Sequence, residues 1–338
     1  MPEILLTTEE LEAFRPAWEQ LWAADPNATP FQHPDWLAPW WHCFGQHDLR
    51  TVVVSQNGKP VAFLPFYVYC DPDSHQRQLL MLGVGTTDYL DGVFAPECTV
   101  EDVRAGLEAL RRDAGWDVMY AGQLRPQSKL FQALQFVSRA ERFSGESCWR
   151  MRAVTMPELP VKIRRNAMYY RNRAARLGSL ELRTANSSNW GQYFNALVRL
   201  HTAQWRRRGK PGVLADPRVL AWHREAIPRL QARSLLRLCS LHLNGEVLGI
   251  AYSLADPASR RSRTQYFYLP AYSGRHAGLR PGTLLLAHMT ENAAEEGTET
   301  IDMLRGEEDY KKIWHAKPFA THGFALHSPL SARTQSAL

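Results

Sequence analysis

Two stretches of the chain carry the same β-hairpin pattern. LRTVVVSQNGKPVAFLP begins at Leu49 and LRLCSLHLNGEVLGIAY begins at Leu236, an offset of 236 − 49 = 187 residues, and the two align without gaps. Each consists of a β-rich run, an Asn-Gly pair and a second apolar run. Asn57-Gly58 and Asn244-Gly245 predict type I′ hairpins, because that turn needs positive φ at both of its central residues.

Two further correspondences flank these hairpins in the same order. Upstream, Pro34 and Pro217 each introduce a helix, 217 − 34 = 183 residues apart. Downstream, WDVMY (116–120) and TIDML (300–304) each form a predicted strand after an amphipathic helix. Three ordered matches at nearly one spacing predict a duplicated domain. We therefore predict an α/β protein with an N-terminal domain over 1–150 and a C-terminal domain over 160–330, each a mixed β-sheet flanked by helices.

The composition is that of a globular protein with a substantial core. The 338 residues are 45% hydrophobic and 22% charged. No window holds the roughly 18 apolar residues of a membrane-spanning helix, and the start, MPEILLTTEELEAF, lacks the pattern of a signal peptide. Five widely spaced cysteines predict reduced thiols and a cytoplasmic protein. The net charge of +6 favours an anionic ligand such as a nucleotide, a phosphate ester or a nucleic acid.

A loop and a helix start follow the predicted strand TQYFYL (264–269). The loop is PAYSGRHAGLR, and Pro281-Gly282-Thr283 then opens the helix, since proline suits the first helical turn. The next strand, 300–304, completes a crossover that brings the helix N-terminus to the end of a parallel strand pair. Free N–H groups and a partial positive charge at that end predict a phosphate site. The same residues also fit an ordinary βα loop with surface arginines.

The chain resembles the GNAT-fold acyltransferases in several segments. These are WRRRGKPG (205–212), QYFYLP (265–270), the loop into RPGTLL, and DMLRGEEDYKKIW (302–314). They are similar to the branch known as CelD-like or cellulose-biosynthesis-type, which is related to the FemAB-like tandem-GNAT proteins. TPFQHPDWLAPWW and GTTDYLDGVF look like that family's N-terminal pieces. The resemblance covers most of the chain from Pro30 to Trp314. It implies two tandem GNAT-like domains and an acetyl-CoA or other acyl-CoA co-substrate.

The resemblance also implies a site in the second half. The diphosphate of coenzyme A would rest on backbone N–H groups after Pro281, and the oxyanion would receive an N–H near Tyr268-Leu269, where GNAT folds splay two parallel strands apart. The implied cofactor-binding residues are Leu269, Arg275, Arg280, Pro281, Gly282, Thr283 and Leu284. The implied catalytic residues are Tyr310, Asp302 and Tyr268.

Tyr310 is the expected acid for the leaving thiolate. An unperturbed tyrosine has a pKa of about 10 and stays protonated at neutral pH. The pairs Glu307–Lys311 and Glu308–Lys312, however, have the favourable i,i+4 order of a short amphipathic helix. The packed face of that helix would consist of Tyr310, Ile313 and Trp314. Both interpretations stay open.

The acceptor would be bound by residues of both halves. The implied substrate-binding residues are Trp205, Arg207, Arg305 and Lys311 in the second half, and Asp88, Tyr89 and Asp91 in the first. Lys311 suits an anionic acceptor. The two aspartates either hold an amine or shape a turn. His201 shares an inward helical stripe with Phe194 and Leu197, and we expect it to serve packing.

A basic helix is predicted from Lys162 to Leu177. Its apolar stripe consists of Ile163, Ala167, Tyr170, Ala174 and Leu177. Its other faces carry six basic residues: Lys162, Arg164, Arg165, Arg171, Arg173 and Arg176. The helix is either an arm that binds anions or nucleic acid, or a packed helix with a solvated face.

Signatures of other chemistry are missing from the sequence. There is no HExxH, no Gly-x-Ser-x-Gly elbow and no Walker A loop. His223-x-Glu225 is not followed by Pro-Cys-x-x-Cys, so we expect no metal.

Three functions remain. The first is an acyl-CoA-dependent N-acyltransferase acting on an amine, such as an amino sugar or a polysaccharide precursor. The second is a FemAB-like aminoacyl-tRNA-dependent transferase, the one case in which we expect nucleic acid as a partner. The third is a non-catalytic GNAT-like module in a polysaccharide-synthesis complex. The first-half counterpart of the cofactor loop, APECTVED, is acidic and lacks glycine, so we expect a single active site in the second half. The sequence leaves the oligomeric state open.

Overall fold

The computed structural model describes residues 1–45, 48–113 and 115–328. Contacts divide the chain into two units. Unit 1 holds Met1–Ser147 and the chain from Ala320 onward, and unit 2 holds Cys148–Phe319. Along the chain, each boundary between the units falls within a long strand: the first in β9 (Glu141–Arg152) and the second in β15 (Lys317–His327).

In its described residues, unit 1 combines two sets of strands with four α-helices. Its other strands are β1 (Pro2–Leu5), β2 (Asp48–Leu49), β3 (Thr51–Gln56), β4 (Lys59–Leu64), β5 (Phe66–Cys70), β6 (Arg77–Met81), β7 (Val93–Phe94) and β8 (Val118–Leu124). Its helices are α1 (Thr8–Ala24), α2 (Pro34–Phe44), α3 (Val100–Arg112) and α4 (Lys129–Leu134). One set is a sheet of order β1-β3-β4-β7, and the other has the order β15-β8-β6-β5-β2.

Unit 2 contains a mixed sheet of order β10-β11-β12-β13-β14-β9. Its strands are β10 (Leu180–Thr184), β11 (Leu236–Leu243), β12 (Glu246–Ala255), β13 (Thr264–Tyr272) and β14 (Thr300–Arg305), together with the end of β9. Its helices are α5 (Val161–Ala175), α6 (Trp190–Arg206), α7 (Pro217–Ala232), α8 (Pro281–Glu295) and the short α9 (Asp309–Ile313).

The sequence repeat appears as the same succession of elements in each unit. The hairpins β3–β4 and β11–β12 turn on the predicted Asn-Gly pairs, whose φ angles are 49° and 75° at Asn57-Gly58 and 50° and 81° at Asn244-Gly245. The predicted type I′ geometry is therefore confirmed. A parallel strand pair follows each hairpin along the chain, β6 with β8 and β13 with β14.

The sheet of unit 2 is covered on both faces. Cys239, Leu241 and Ala251 pack against Leu284 and Leu285 of α8, in a cluster that also includes Ala174 of α5. The opposite face carries Tyr252, which contacts His223 of α7. Burial on both faces explains why β11 and β12 read as nearly continuous apolar runs.

Helix α5 buries most of its predicted stripe. Ile163, Ala167 and Ala174 are buried, and Tyr170 is half-buried. Leu177 is an exception, because the helix ends at Ala175 and the side chain of Leu177 is 57% exposed. The prediction that Leu177 belongs to the stripe was wrong.

Candidate active site

The parallel strands β13 and β14 separate partway along their length. They pair from Thr264↔Thr300 to Tyr266↔Asp302, and the pairing ends there although β13 continues to Tyr272. On its other side, β13 shifts register against β12 between Tyr252 and Ser253, which leaves Tyr268 as an extra residue. Such a bulge bends a strand. The predicted splay is therefore present, and Leu269, opposite Tyr252, lies just beyond it.

The N-terminus of α8 faces the end of β13, but only part of the predicted amide cradle is free. Arg280 precedes the helix in the left-handed conformation, with φ 49°, and Pro281 is the first helical residue. The N–H groups of Thr283 and Leu284 donate to the Arg280 carbonyl oxygen, at 2.9 and 3.3 Å. The Gly282 N–H has no acceptor among the residues that the structure describes. The expectation of three bare amides therefore holds for Gly282 alone.

Tyr272, which the sequence did not single out, packs against this helix start. A Cβ atom on Gly282 would lie 3.1 Å from Cζ and 3.4 Å from Oη of Tyr272. Because that spacing is tighter than ordinary van der Waals contact, glycine is the residue that lets the phenol approach the helix. Burial, and then the nearby Tyr310 phenol, raise the pKa of Tyr272 above its ordinary value.

The bulge determines which face of the sheet Tyr272 occupies. Simple alternation would place Tyr268 and Tyr272 on the same face. The extra residue reverses the alternation, so that Tyr272 packs with Leu279 and Leu284 whereas Tyr268 contacts the rings of Tyr252 and His223. No sequence signal marked the bulge.

Tyr310 lies in α9 and is half-buried beside a cluster that includes Trp314 and Met303. Burial, and then the Glu308 carboxylate, raise the pKa of Tyr310, so the phenol holds its proton at neutral pH. The predicted packed face is only partly correct, because Ile313 is 56% exposed. The helix spans only Asp309–Ile313, so Glu307 and Glu308 both precede it and the predicted i,i+4 pairs do not form; Glu308 instead pairs with Lys311, at 2.9 Å.

Asp302 is fully buried and is the last residue of β14 that pairs with β13. Its Oδ2 accepts a hydrogen bond from Nε of Arg150 at 2.7 Å, and its Oδ1 accepts one from the Leu304 N–H at 2.9 Å. The Arg150 guanidinium in turn lies 4.1 Å from the centroid of the Phe319 ring. Both carboxylate oxygens are thus engaged within unit 2, an arrangement that anchors the strand end.

Lys311 does not point to solvent, contrary to its expected role as a ligand for the acceptor. It is 1% exposed, and its Nζ donates to three backbone carbonyl oxygens, those of Leu304, Arg305 and Gly306, at 3.2, 2.6 and 3.2 Å. Arg305 ends β14 and its side chain is partly exposed. Arg305 and Lys311 were both expected to bind the acceptor, but only Arg305 presents its side chain to solvent.

Basic side chains surround the loop between β13 and α8. Arg275 pairs with Glu246 at 3.6 Å and is 83% exposed, and Arg280 is exposed as well. Arg173 of α5 donates to the Gly278 carbonyl oxygen at 3.4 Å. The Arg207 guanidinium lies where a side chain at Gly274 would stand. Arg207, expected to bind the acceptor, therefore contacts the loop between β13 and α8.

Trp205 and His201 lie near the C-terminal end of α6. Their rings lie 5.8 Å apart, and Gly212, with φ 74°, packs against both. His201 is buried as predicted, and burial lowers its pKa to about 4, so the imidazole is neutral. Its Nδ1 has no hydrogen-bond partner among the described residues.

The predicted residues of unit 1 are held within a buried polar network. Tyr89 has φ 51°, and the Arg125 guanidinium lies 5.3 Å from its ring centroid. Oδ1 of Asp91 accepts hydrogen bonds from Oγ of Ser128 and from the Gly92 N–H, each at 2.8 Å. Asp88 is also buried. These contacts fit the turn-shaping interpretation of the Asp-Tyr-Leu-Asp segment.

The helix start of unit 1 that corresponds to α8 is capped by its own side chains. At α3, Oγ1 of Thr99 accepts the Asp102 N–H at 3.2 Å, and Oδ2 of Asp102 accepts the Thr99 N–H at 2.8 Å. This capping box places a carboxylate where a phosphate would bind.

Within residues 1–45, 48–113 and 115–328, no group of three or more His, Cys, Asp or Glu side chains is arranged to hold a metal ion. In the same ranges, no helix combines the length and the apolar character needed to cross a membrane.

Comparisons with known proteins bear on the fold. Residues 161–312 match a family model described as an acetyltransferase (GNAT) domain. A crystal structure of FemX aligns with a TM-score of 0.66 and 11% identity, over 98% of each chain. The C-terminal domain of a putative lysylphosphatidylglycerol synthetase from Agrobacterium fabrum aligns with a TM-score of 0.59 and 13% identity, over 98% of this chain and 95% of that one.

A tandem GNAT protein from the clavulanic acid biosynthesis pathway aligns with a TM-score of 0.52 and 13% identity, over 97% of this chain and 99% of that one. No curated protein sequence matches the chain significantly. The fold is thus a mixed α/β GNAT fold with tandem-GNAT structural neighbours. The chain carries an acyltransferase domain of the GNAT type over residues 161–312.

Proposed function

We propose that unit 2 transfers an acyl group from an acyl-CoA to an amine. The observation that carries this proposal is the opening between β13 and β14 beyond Tyr266 and Asp302, beside a helix start where the Gly282 N–H is free. An opened strand offers main-chain groups to an extended amide-containing chain such as pantetheine. A helix N-terminus attracts a diphosphate.

The surrounding residues fit such a donor. Gly282 leaves room at the helix start, and Arg280 and Arg275 expose positive charge next to it. The loop is further lined by Arg207 and Arg173. Coenzyme A would supply the activated acyl group, and these side chains would hold its phosphates.

The reaction requires one bond to form and one to break. The acceptor nitrogen attacks the thioester carbonyl carbon, the C–N bond forms, the C–S bond breaks, and the nitrogen releases a proton to solvent, from which the acid is restored after it has protonated the thiolate. The departing thiolate takes up a proton, for which Tyr310 and Tyr272 are both suited, because both phenols remain protonated at neutral pH. We assign this role to Tyr310.

The acceptor class rests on the sequence resemblance. The CelD-like motifs favour an amino sugar or another precursor of a surface polysaccharide. A panel of amino sugars assayed with acetyl-CoA and mass spectrometry tests this assignment, and acylation confined to other amines would contradict it.

The donor site is tested by titrating the chain with coenzyme A in a calorimeter. We expect binding to the wild type and its loss in Gly282→Glu, because the new side chain crowds Tyr272 and places a negative charge at the helix start. Gly191→Glu is the matched control. Gly191 is the second residue of α6, as Gly282 is of α8, and the space around it is open.

Two results would overturn the proposal. One is the absence of coenzyme A binding by the wild type. The other is equal binding by the two glutamate variants.

A second candidate is an aminoacyl-tRNA-dependent transferase. The similarity to FemX over 98% of each chain favours it, and so does the basic helix α5, whose Arg173 contacts the loop at the start of α8. It predicts tRNA binding that weakens steeply as salt is added. Filter binding at several salt concentrations measures this, and binding that is absent or insensitive to salt would exclude it.

A further inference from the structure

Lys311 stands out because a lysine is almost never fully buried unless its charge is paired. It has three N–H donors, and they meet the carbonyl oxygens of Leu304, Arg305 and Gly306. The Glu308 carboxylate, 2.9 Å away, balances the charge. The ammonium group is therefore satisfied entirely by its own unit.

Three consecutive carbonyl groups cannot converge on one atom from a regular strand, since successive carbonyls point to opposite sides. The backbone here is irregular, since the register of β14 against β9 shifts between Asp302 and Arg305. Leu304 has φ 57° and Gly306 has φ 110°. A left-handed conformation at leucine is unfavourable by itself and persists only where its surroundings enforce it. The bonds from Lys311 contribute to that enforcement, together with the hydrogen bond from the Leu304 N–H to Asp302.

Asp302 holds the same segment from the other side. Its carboxylate accepts the Leu304 N–H and is fixed by Arg150. Asp302 is also the last residue of β14 that pairs with β13. The end of β14 is thus held by Asp302 through an N–H group, by Lys311 through three carbonyl groups, and by the pairing of Arg305 with Cys148 of β9, at the point where β13 and β14 part.

We propose that Lys311 is a positioning residue that holds the end of β14 away from β13 and so keeps the donor groove open before any ligand binds. Its relevance to donor binding rests on the proposed function. The effect of Lys311 on the backbone does not depend on the proposed function, so donor binding and backbone conformation are tested separately.

The first test is hydrogen–deuterium exchange of the whole chain without ligand. In Lys311→Met, which keeps the apolar stem and removes the ammonium, we expect amides at 303–306 to exchange roughly tenfold faster, while the hairpin β11–β12 is unchanged. Lys312→Met is the matched control, since Lys312 is exposed next to it. Glu308→Gln, which keeps the carbonyl bonds, is expected to change exchange little. Unchanged exchange in Lys311→Met would overturn the proposal.

The second test covers the case in which Lys311→Met does not fold. Amine-specific acylation of the native wild type should modify Lys312 and spare Lys311. Equal labelling of the two lysines would show that the ammonium is not engaged, and would also overturn the proposal.

The third test compares steady-state constants for the donor and the acceptor. A positioning role predicts that Lys311→Met raises KM for the acyl-CoA roughly tenfold, with the acceptor KM unchanged. A general loss of folded protein would instead lower kcat and leave both KM values unchanged, and would contradict the role. If coenzyme A does not bind the wild type at all, the proposed function fails while the exchange result still decides the role of Lys311.

Discussion

At the scale of single residues, two phenol groups near the start of α8 retain their protons well above neutral pH. Tyr272 touches Gly282, and Tyr310 lies close enough to influence the pKa of Tyr272. Only one of them needs to protonate the thiolate. Their different positions, one at the end of β13 and one in α9, make the assignment testable.

We expect Tyr310→Phe to lower kcat roughly 100-fold, the usual contribution of a general acid. Tyr272→Phe should lower it far less, because its ring packs against the helix and the substitution keeps the ring. Steady-state rates with acetyl-CoA, measured from neutral to alkaline pH, provide the comparison. The wild type should show no alkaline decline from this acid up to about pH 10, since burial raises the pKa of Tyr310. A larger defect in Tyr272→Phe would move the role to Tyr272.

Asp91 gives a second prediction at this scale. Burial raises its pKa to about 7, although Arg125 and the Ser128 hydroxyl act in the opposite direction. Because the folded-state pKa lies above that of the unfolded chain, the contribution to stability is complete at low pH and is lost as the pH rises through about 7.

Asp91→Asn retains a carbonyl oxygen for the bonds from Ser128 and Gly92 but cannot ionise. We expect its melting temperature to decline less than that of the wild type between about pH 5 and about pH 8. Differential scanning fluorimetry of the two proteins in matched buffers measures this. Parallel profiles would show that Asp91 does not ionise in this range.

At the scale of elements, the sequence predicted the features that depend only on residues close together along the chain. The Asn-Gly turns, the helix start at Pro281 and the crossover between β13 and β14 all followed from turn chemistry, capping and order along the chain. The register shift at Tyr268 did not, because a bulge depends on pairing with β12. Lys311 was likewise misread as accessible, since nothing local shows that three carbonyls will surround an ammonium group.

Helix α5 was interpreted either as a binding arm or as a packed helix with a solvated face. The free energy of unfolding of variants on its two faces tests whether it is packed. Ile163 is buried in a cluster with Leu286 and Ile301, whereas Met168 on the same helix is 51% exposed. We expect Ile163→Ala to cost about 3 kcal/mol in the free energy of unfolding of unit 2, as for other large-to-small core substitutions. Met168→Ala should change it by no more than about 0.5 kcal/mol. Urea titrations give both values, and equal effects would mean that the helix does not pack as described.

At the scale of the whole molecule, the two units share a succession of elements but differ in their chemistry. Each has a hairpin followed by a parallel strand pair, yet their helix starts differ in charge. In unit 1 the start of α3 is closed by the reciprocal bonds of Thr99 and Asp102. In unit 2 the Gly282 N–H at the start of α8 finds no acceptor in the described part of the chain, and arginines lie nearby. A carboxylate at a helix N-terminus already satisfies the positive end of the dipole, so a phosphate gains little there and is repelled.

This difference predicts one coenzyme A per chain. Calorimetric titration of the full chain should give a stoichiometry of one, and Gly282→Glu should abolish the whole binding signal rather than half of it. Thr99→Ala opens the capping box while leaving Asp102 in place, and we expect it to add no second site, because the carboxylate still repels the diphosphate. A stoichiometry of two in the wild type would mean that unit 1 kept a donor site despite its capped helix.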